Sequence, residues 1–396
     1  MFTLLGHRHR KHQVIKHSSV FIFLLLFVLH ISPTFYINSG FLSTFFSATG
    51  VSMIYTVASL ITIGGVLLVR KLLPKIGNYN LFMLAMFGEL FALVGMLTAI
   101  HPTVVMFSFF LHFISTAIIF FNLDVFLESS SCDEKTGGTR GTSLTFQNLG
   151  FILGPIAASL LIGIDSYWKV YAFSILILIP AIILGARSFG NFGDPKYKRI
   201  SFFLQTKQII KEKDIFFALL CAFMLRVFFA WMVIYSPLFL HNTIGFTWQA
   251  TTLIIGLGLI PFVLLEYWLG KLADNRYGEK EFMSLGFVVM AIACAAFVFA
   301  PQIPNFILWV SIIFMTRVGA SMVEVMSEIY IFKKIDVTDI NTISFFRILQ
   351  PTAYVISPII ATIALYFLGD IKWLFLVLAL YLLYGLRYSL ALNDTK

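Results

Sequence analysis

Residues 18–38, SSVFIFLLLFVLHISPTFYIN, form an unbroken apolar run whose one ionisable side chain is His30. A run of this length matches the ~20 residues that a helix needs to cross the hydrocarbon core of a bilayer. The rest of the chain has the same character, with 59% hydrophobic and 12% charged residues and a mean hydropathy of +0.91. A soluble domain carries roughly a quarter of its residues as charges, so the composition predicts an integral membrane protein.

Twelve apolar runs follow one another along the chain, and they predict an all-α polytopic membrane protein with twelve transmembrane helices. The runs are continuous instead of alternating in ~10-residue pieces, which favours helices over a β-barrel. The basic start lacks a small-residue cleavage site, so we expect the first span to be retained. The predicted spans are 18–38, 46–69, 79–98, 103–128, 141–164, 169–187, 214–240, 249–270, 281–300, 305–332, 341–367 and 371–391.

Lysine and arginine are distributed very unevenly over the connections between these spans. Of the 28 Lys and Arg residues, 23 lie in the two tails or in connections on the same side of the membrane as the N-terminus. Only Lys169 and Lys372 lie in connections on the other side. Cytoplasmic loops are enriched in Lys and Arg, so we predict a multi-pass protein of the cytoplasmic (inner) membrane with both termini in the cytoplasm. Topology then explains the net charge of +9, and we expect no nucleic-acid partner.

The sequence also repeats itself at a spacing of about 200 residues. SPTFYIN (32–38) returns as SPLFLHN (236–242), and DVFLE (124–128) returns as EVMSE (324–328). Each half contains six predicted spans, so corresponding helices cross the membrane in the same direction. Such a parallel repeat is typical of one large class of transporters.

The connection between the halves is long and basic. We predict an N-terminal six-helix bundle over residues 1–187, a cytoplasmic linker over 188–213 and a C-terminal six-helix bundle over 214–396. Within the linker, RISFFLQTKQIIKEKD (199–214) interleaves apolar residues with lysines. This pattern fits either an amphipathic helix on the membrane surface or an ordinary solvated linker.

A glycine- and charge-rich loop follows the eighth span. It reads GKLADNRYGEK (270–280), with Gly270, Asp274 and Gly278 as its skeleton. The matching stretch of the first half, GVLLVRKLLPKIG (65–77), has no acid in the corresponding place.

Glycines in the fifth span form a second motif. Gly141, Gly150 and Gly154 are followed at once by Pro155. The spacing of Gly150 and Gly154 lets another helix approach closely, and the proline bends the span. The loop resembles the cytoplasmic loop motif G-x-L-A-D-[RK]-x-G-[RK]-[RK] of the major facilitator superfamily, with one extra residue, and the fifth span resembles that family's antiporter signature.

The resemblance implies a fold of two six-helix bundles that work by alternating access. It implies that Asp274 reaches the start of the fifth span, near Arg140 and Gly141, and holds the inner gate shut. It also implies that the face of Gly150 and Gly154 meets the other half, an arrangement associated with antiport. A solvated turn and a simple packing face are the alternatives for the two motifs.

Four ionisable residues lie deep in the predicted spans. His30, His112, Arg226 and Arg317 fall in the first, fourth, seventh and tenth spans, each within a turn or two of the midplane. In the family these four spans line the central cavity. A charge at this depth costs at least ~2.5 kcal/mol on insertion scales, so we interpret the four residues as a substrate or proton cavity, although a buried histidine can also be a packed, hydrogen-bonded residue.

Arginines within spans require an anion, an acid or water. Glu324 is a candidate partner for Arg317, two turns away on the same helix face, and this pair could be structural or could take part in coupling. Arg226 has apolar and aromatic neighbours in the sequence. An unpaired Arg226 with two histidines would favour an anionic solute. Glu89, in the middle of the third span, and Glu266, one turn before Gly270, are candidate proton sites, although the third span is peripheral in the family.

Acids at the inner ends of the fourth and tenth spans match arginines at similar depth. Arg140 can reach Glu128, and Arg347 can reach Glu324 or Glu328. We interpret these as gate salt bridges, and permanent structural pairs are the alternative. The gate acids are Asp124, Glu128, Glu324 and Glu328.

Together these features predict a secondary active transporter that moves a small solute across the cytoplasmic membrane by alternating access, coupled to protons. The fifth-span motif favours export or exchange. The alternatives are a non-transporting sensor or scaffold of the same fold and a proton-coupled importer of an anionic metabolite. No catalytic grouping, phosphate loop or metal-ligand spacing is present in the sequence, so we expect no enzyme activity, no cofactor and no metal, and a monomer whose partners are a small solute, protons and the lipid bilayer.

Overall fold

Twelve helical spans form the molecule, in a computed structural model that describes residues 17–46, 48–98, 101–129, 136–161, 167–195, 197, 211–275, 278–334 and 340–393. The first six helices are α1 (His17–Ser43), α2 (Ala48–Ile76), α3 (Asn78–Thr98), α4 (Pro102–Glu128), α5 (Thr136–Leu161) and α6 (Tyr167–Phe189). The next six are α7 (Lys213–Leu238), α8 (in two segments, Trp248–Gly258 and Ile260–Asn275), α9 (Glu279–Phe299), α10 (Phe306–Lys334), α11 (Ile340–Leu368) and α12 (Lys372–Ser389). No strand occurs in these ranges.

Within the described ranges, ten helices are long and apolar enough to cross a membrane. The two others, α5 and α12, are less apolar: α5 is rich in Gly, Ser and Thr, and α12 carries Lys372 and Arg387 at its two ends. Small residues are expected on α5 because they allow close approach of other helices. The predicted all-α membrane fold is confirmed.

Two spans are less regular than the sequence predicted. The eighth is interrupted at Leu259. The seventh contains Pro237 and continues into a π-helical turn, Phe239–Thr243. Proline removes a backbone donor and disturbs the regular helix. The possible surface helix at 199–214 lies almost wholly outside the described residues.

The packing of the helices repeats with an offset of six. In the first half, α1 packs on α5 and α6. Both α2 and α3 pack on α4, and α3 also packs on α6. In the second half, α7 packs on α11 and α12, α8 and α9 pack on α10, and α9 also packs on α12. This offset matches the ~200-residue spacing of the sequence repeat.

The two halves meet along a seam that follows the same symmetry. α5 packs on α8 and α10, and its counterpart α11 packs on α2 and α4. We call the end where α1 begins and α12 ends the termini end, and the opposite one the far end.

Buried apolar contact across the seam is concentrated at the termini end. One hydrophobic core lies within the first half alone, but the core of the second half extends into the first. The first-half residues that join it all lie toward the termini end: Val69, Leu73, Leu81, Phe121, Val125 and Leu144. The halves are therefore held together most extensively there.

Candidate functional site

Two acids at the termini end of α4 are bound by arginines from both halves. The acids are Asp124 and Glu128, which we call the α4 acid pair. Arg140 of α5 donates to Asp124 Oδ1 at 2.9 Å and to Glu128 Oε2 at 3.1 Å. Arg347 of α11 donates through Nε to the other oxygen of Asp124, at 2.5 Å. Asp124 therefore accepts one arginine from its own half and one from the other.

Aromatic rings complete this network across the seam. The Arg140 guanidinium lies over the ring of Phe332 on α10, 3.3 Å from the centroid. The Arg347 guanidinium lies 5.3 Å from the centroid of Phe120 on α4. Each arginine thus contacts an aromatic ring of the opposite half, and desolvated cation–π contacts of this kind are worth up to ~2 kcal/mol. We call Asp124, Glu128, Arg140 and Arg347 the gate cluster.

The matching acids of α10 are bound within their own half. They are Glu324 and Glu328, the α10 acid pair. Arg226 of α7 donates to Glu324 at 2.9 Å and to Glu328 at 3.5 Å. The hypothesis of an unpaired Arg226 is therefore wrong, because its partners lie on another helix and 98 and 102 positions away in the sequence. The expected contact of Arg347 with these acids is also replaced, by the bond to Asp124.

Arg317 lies on the same helix as the acid predicted to be its partner. That acid, Glu324, is hydrogen-bonded to Arg226 of α7. The Arg317 guanidinium lies 5.2 Å from the ring centroid of Phe228 and 6.0 Å from that of Phe229, both on α7. Arg317 therefore faces the aromatic side of the seventh helix.

A polar contact between the halves lies deeper in the seam. Asn148 of α5 donates from Nδ2 to both carboxylate oxygens of Glu266 on α8, at 2.9 Å each. Glu266 is fully buried. The sequence indicated Glu266 as an acid at membrane depth, but no local pattern in the fifth span pointed to Asn148.

The two histidines predicted to line the cavity are instead packed inside the first half. His30, Glu89 and His112 meet there: Glu89 Oε1 lies 3.1 Å from His30 Nε2 and 2.7 Å from His112 Nδ1. His30 and Glu89 are 0% exposed and His112 is 5% exposed. Glu89 was expected on a peripheral helix, and its burial is possible because two imidazoles lie within hydrogen-bonding distance of its carboxylate.

The fifth-span glycines contact their own half, contrary to the expectation from the resemblance. A Cβ on Gly154 would lie 1.6 Å from Ser32 Oγ, and one on Gly150 would lie 2.9 Å from Val28, both on α1. Ser32 Oγ also donates to the Gly150 carbonyl at 2.8 Å. The same glycine face also lies against Pro33, since a Cβ on Gly154 would be 2.9 Å from the Pro33 backbone nitrogen.

Gly141, in contrast, does lie at the seam. A Cβ there would lie 2.6 Å from the Glu266 carbonyl oxygen and 3.2 Å from Gly270 Cα on α8. The loop motif and the fifth-span motif therefore meet through Gly270 and Gly141. Asp274 lies in the last turn of α8 with its side chain outside the described part of the structure, and Gly278 precedes α9 as its N-cap residue.

No sequence pattern predicted an acid at the start of α3. Asp194, which follows α6, accepts the backbone N–H of Asn78 at 2.8 Å beside Gly77, whose φ is +83°. Tyr197 donates to the same carboxylate, and burial, followed by this bond, raises the pKa of Tyr197 well above its usual value. Asp194, in the segment after α6, thus places a carboxylate beside the loop between α2 and α3. The sequence of that loop lacks the acid of the loop motif.

The site as a whole is a set of buried ionic contacts, one of which joins the two halves. Removing a partner from such a contact is costly, but exchanging partners conserves charge. In the part of the chain that the structure describes, no group of three or more His, Cys, Asp or Glu side chains could hold a metal ion.

Comparison with known proteins places this geometry in a family. The model of the major facilitator superfamily matches residues 18–344. The fold is similar to that of the Escherichia coli transporter FucP in its outward conformation, with a TM-score of 0.76, 13% identity, and coverage of 96% of this chain and 99% of that one. No curated protein gives a significant sequence match.

Two other solved structures are similar over nearly their full length. The human organic anion transporter MFSD10 has a TM-score of 0.76 and 12% identity, and the alignment covers 94% of this chain and 98% of that one. An outward-facing bacterial homologue of ferroportin has a TM-score of 0.74 and 13% identity over the same shares. At these identities the likeness shows the fold, and with the family match over most of the chain it follows that this protein belongs to the major facilitator superfamily.

Proposed function

We propose that the protein is a secondary active transporter that moves a small solute across the cytoplasmic membrane by alternating access, with protons as the coupling ion. The observation that carries the proposal is the Arg347–Asp124 ion pair, which joins the halves at the termini end. The pair coincides with the buried apolar contact of the seam at that end. In a transporter, a contact of this kind must be strong enough to hold one end of the two halves closed. It must also involve few enough residues to separate when that end opens.

Alternating access requires the two halves to rock about the seam. In the present arrangement the gate cluster closes the termini end. When the halves separate there, Arg347 is released, while Arg140 of the same half stays hydrogen-bonded to both Asp124 and Glu128. Opening therefore leaves neither carboxylate without a hydrogen-bond partner, a loss that would cost several kcal/mol.

We propose that the termini end faces the cytoplasm. The asymmetry of 23 against two basic residues in the connections supports this orientation. The closed termini end would then make the present state outward-facing. The predicted direction, export or exchange, depended on the fifth-span motif, whose Gly150 and Gly154 contact α1 of the same half, so we propose no direction of transport.

The solute-binding region is proposed to lie at Arg226 and the α10 acid pair, next to Glu266 and Arg317. The pairing of Arg226 with two acids removes the reason to expect an anionic solute. A region with opposite charges already paired favours a small polar solute that exchanges hydrogen bonds with the pair. A buried carboxylate at the seam, Glu266, and the proton-symporting neighbour FucP support proton coupling.

The proposal is tested by a thermal-shift screen of the purified protein, followed by flux measurements. The screen uses small carboxylates, phosphate esters, sugars and organic cations. A hit is then assayed in proteoliposomes with an internal pH dye, in wild type, Arg347→Ala and, as a matched control, Lys372→Ala, which breaks an exposed ion pair at the far end. We expect solute-linked proton flux in the wild type and the control and at least a tenfold loss in Arg347→Ala. Stabilising binding without any flux in the wild type would favour a sensor instead.

A further inference from the structure

Two imidazoles of the first half converge on a single carboxylate oxygen, away from the gate cluster and from Arg226. They belong to His30 of α1 and His112 of α4, and the oxygen is Oε1 of Glu89 on α3. We call these three residues the triad. Ionisable groups at membrane depth are costly and tend to be functional, so the triad indicates a role beyond packing.

The two hydrogen-bond contacts of the triad differ in length. Glu89 Oε1 lies 2.7 Å from His112 Nδ1 and 3.1 Å from His30 Nε2. Both separations are within hydrogen-bonding range. The shorter one makes His112 the imidazole best placed to share a proton with Glu89.

One atom of the triad, Glu89 Oε2, lacks a hydrogen-bond partner among the described residues. A cluster whose role is purely structural is expected to have its buried polar atoms satisfied, because each unsatisfied one is costly. The free acceptor site on Glu89 allows a proton to be added or moved without displacing another protein group.

The charge of the triad depends on that proton. With two neutral imidazoles the net charge is −1, and with His112 protonated it is zero. A net charge is strongly disfavoured in a buried, low-dielectric region. The proton therefore neutralises the triad.

The helices packed around the triad do not supply that charge. On α2, the ring of Tyr55 packs on Phe109 and Phe113 of α4. Tyr171 of α6 is bonded to Asn38 near the far end. Tyr354 lies in the middle of α11, and a phenol supplies no positive charge. The other described ionisable groups of the packed helices lie toward helix ends, on α1 His17, on α2 Arg70, Lys71 and Lys75, on α3 Tyr79, on α4 Asp124 and Glu128, on α5 Arg140, on α6 Tyr167, Lys169 and Arg187, and on α11 Arg347 and Tyr366.

We propose that His30, Glu89 and His112 form an enclosed proton-binding site that holds one exchangeable proton on His112. His112 is the least buried of the three, and α4 carries it together with Asp124, so one helix connects the proton site with the gate cluster. That this proton is the coupling ion rests on the transport function proposed above. The existence of the site does not, and it is tested separately.

The first test observes the imidazole nitrogens directly. The full-length protein is labelled with ¹⁵N-histidine, titrated in detergent, and assigned with His30→Gln and His112→Gln. His101 is exposed at the start of α4 and serves as an internal reference. We expect His112 to keep both ring protons at a pH where His101 has become neutral, and to lose the second one in Glu89→Gln.

Loss of the second proton from His112 together with that of His101 in the wild type would overturn the site. So would an unchanged His112 signal in Glu89→Gln. If Glu89→Gln does not fold, Glu89→Asp is used, which keeps the charge but shortens the side chain. In that variant the His112 titration must move, and an unmoved titration would contradict the proposal.

The second test concerns coupling, in proteoliposomes with an internal pH dye and the solute found in the screen. We expect His112→Gln to lose at least tenfold in solute-linked proton flux while solute exchange continues, and His101→Asn, which retains a capping side chain, to match the wild type. Unchanged proton flux in His112→Gln would exclude the triad as the coupling site. Absence of flux in the wild type would instead overturn the transport function and leave the nitrogen titration valid.

Discussion

The α4 acid pair and the α10 acid pair occupy matching positions in the sequence repeat, but their arginines come from different places. The α10 pair is bound by Arg226 of the same half. The α4 pair is bound by Arg140 of the same half and, through Asp124, by Arg347 of the other half. One pair stabilises a bundle, and the other joins two bundles.

The origin of this difference lies on the first helix of each half. At the offset of 204 that aligns SPTFYIN with SPLFLHN, the counterpart of Arg226 is Ile22, whose side chain is 48% exposed. The first half thus has no arginine on α1 to occupy its acid pair, and Asp124 can accept one from across the seam. This difference in charge between the repeated first helices separates an ion pair within one half from an ion pair across the seam.

The largest expected effect comes from breaking the pair within the second half. Arg226→Ala leaves the α10 acid pair buried without its arginine, and removal of one partner from a buried pair costs about 3–5 kcal/mol. We expect a lower free energy of unfolding by that amount in denaturant titrations of the purified protein. Arg226→Ala combined with Glu324→Gln should regain part of the loss. A stability equal to the wild type would contradict the assignment of Arg226 as a bundle-stabilising residue.

Glycine substitutions at the two ends of α5 should separate effects within a half from effects at the seam. Gly154→Ala inserts a Cβ against Ser32 and the Pro33 backbone nitrogen within the first half, and we expect a loss of about 1–3 kcal/mol in unfolding free energy, typical of overpacking. Gly141→Ala inserts one against α8 of the other half, and we expect increased thiol labelling of cysteines placed at the termini end.

Gly256→Ala is the control for both substitutions, since nothing lies within 4 Å of its Cβ position. We expect it to be neutral or slightly stabilising, because Ala is favoured over Gly in a helix by ~1 kcal/mol. Equal labelling in Gly141→Ala and Gly256→Ala would show that α5 does not restrict closure.

The smallest expected effect is that of one hydrogen bond within the first half. Ser32→Ala removes the donor to the Gly150 carbonyl, and a neutral hydrogen bond contributes about 0.5–1.5 kcal/mol. We expect a loss in unfolding free energy within that range and no change in labelling at the termini end. A change in labelling would mean that the α1–α5 contact, too, takes part in the gate.

The sequence predicted those parts of the structure that depend on local pattern. The lengths of the apolar runs located the spans, and the internal repeat related the two acid pairs. The similar membrane depth of Arg140 and Glu128 correctly predicted that they meet. Depth alone could not show which way a side chain points: α1 and α4 are apolar on all sides, so no stripe distinguishes a cavity face from a packed one. His30 and His112 were therefore placed at the correct depth but on the wrong side of their helices.

Partners of the charged residues were beyond sequence reasoning for a related reason. Arg226 and Glu324 are brought together by the packing of α7 on α10, and nothing near either residue encodes that packing. Asn148 and Glu266 likewise meet only when two halves associate. The loop motif and Gly141, by contrast, were expected near each other, because the resemblance carried information about the assembled fold.

The central claim, that Arg347 and Asp124 close the termini end, is tested most directly by distances between spin labels. Labels at Ile76 and Leu272 report on the termini end, and labels at Leu160 and Phe367 report on the far end, all four positions being exposed. A hydrogen bond to a charged group contributes about 1.5–3 kcal/mol, so Arg347→Ala should shift the equilibrium about 10- to 100-fold. We predict a longer termini-end distance with a shorter far-end distance in Arg347→Ala, and wild-type distances in Arg347→Lys and Lys372→Ala. Distance distributions of Arg347→Ala that superimpose on those of the wild type would contradict the account.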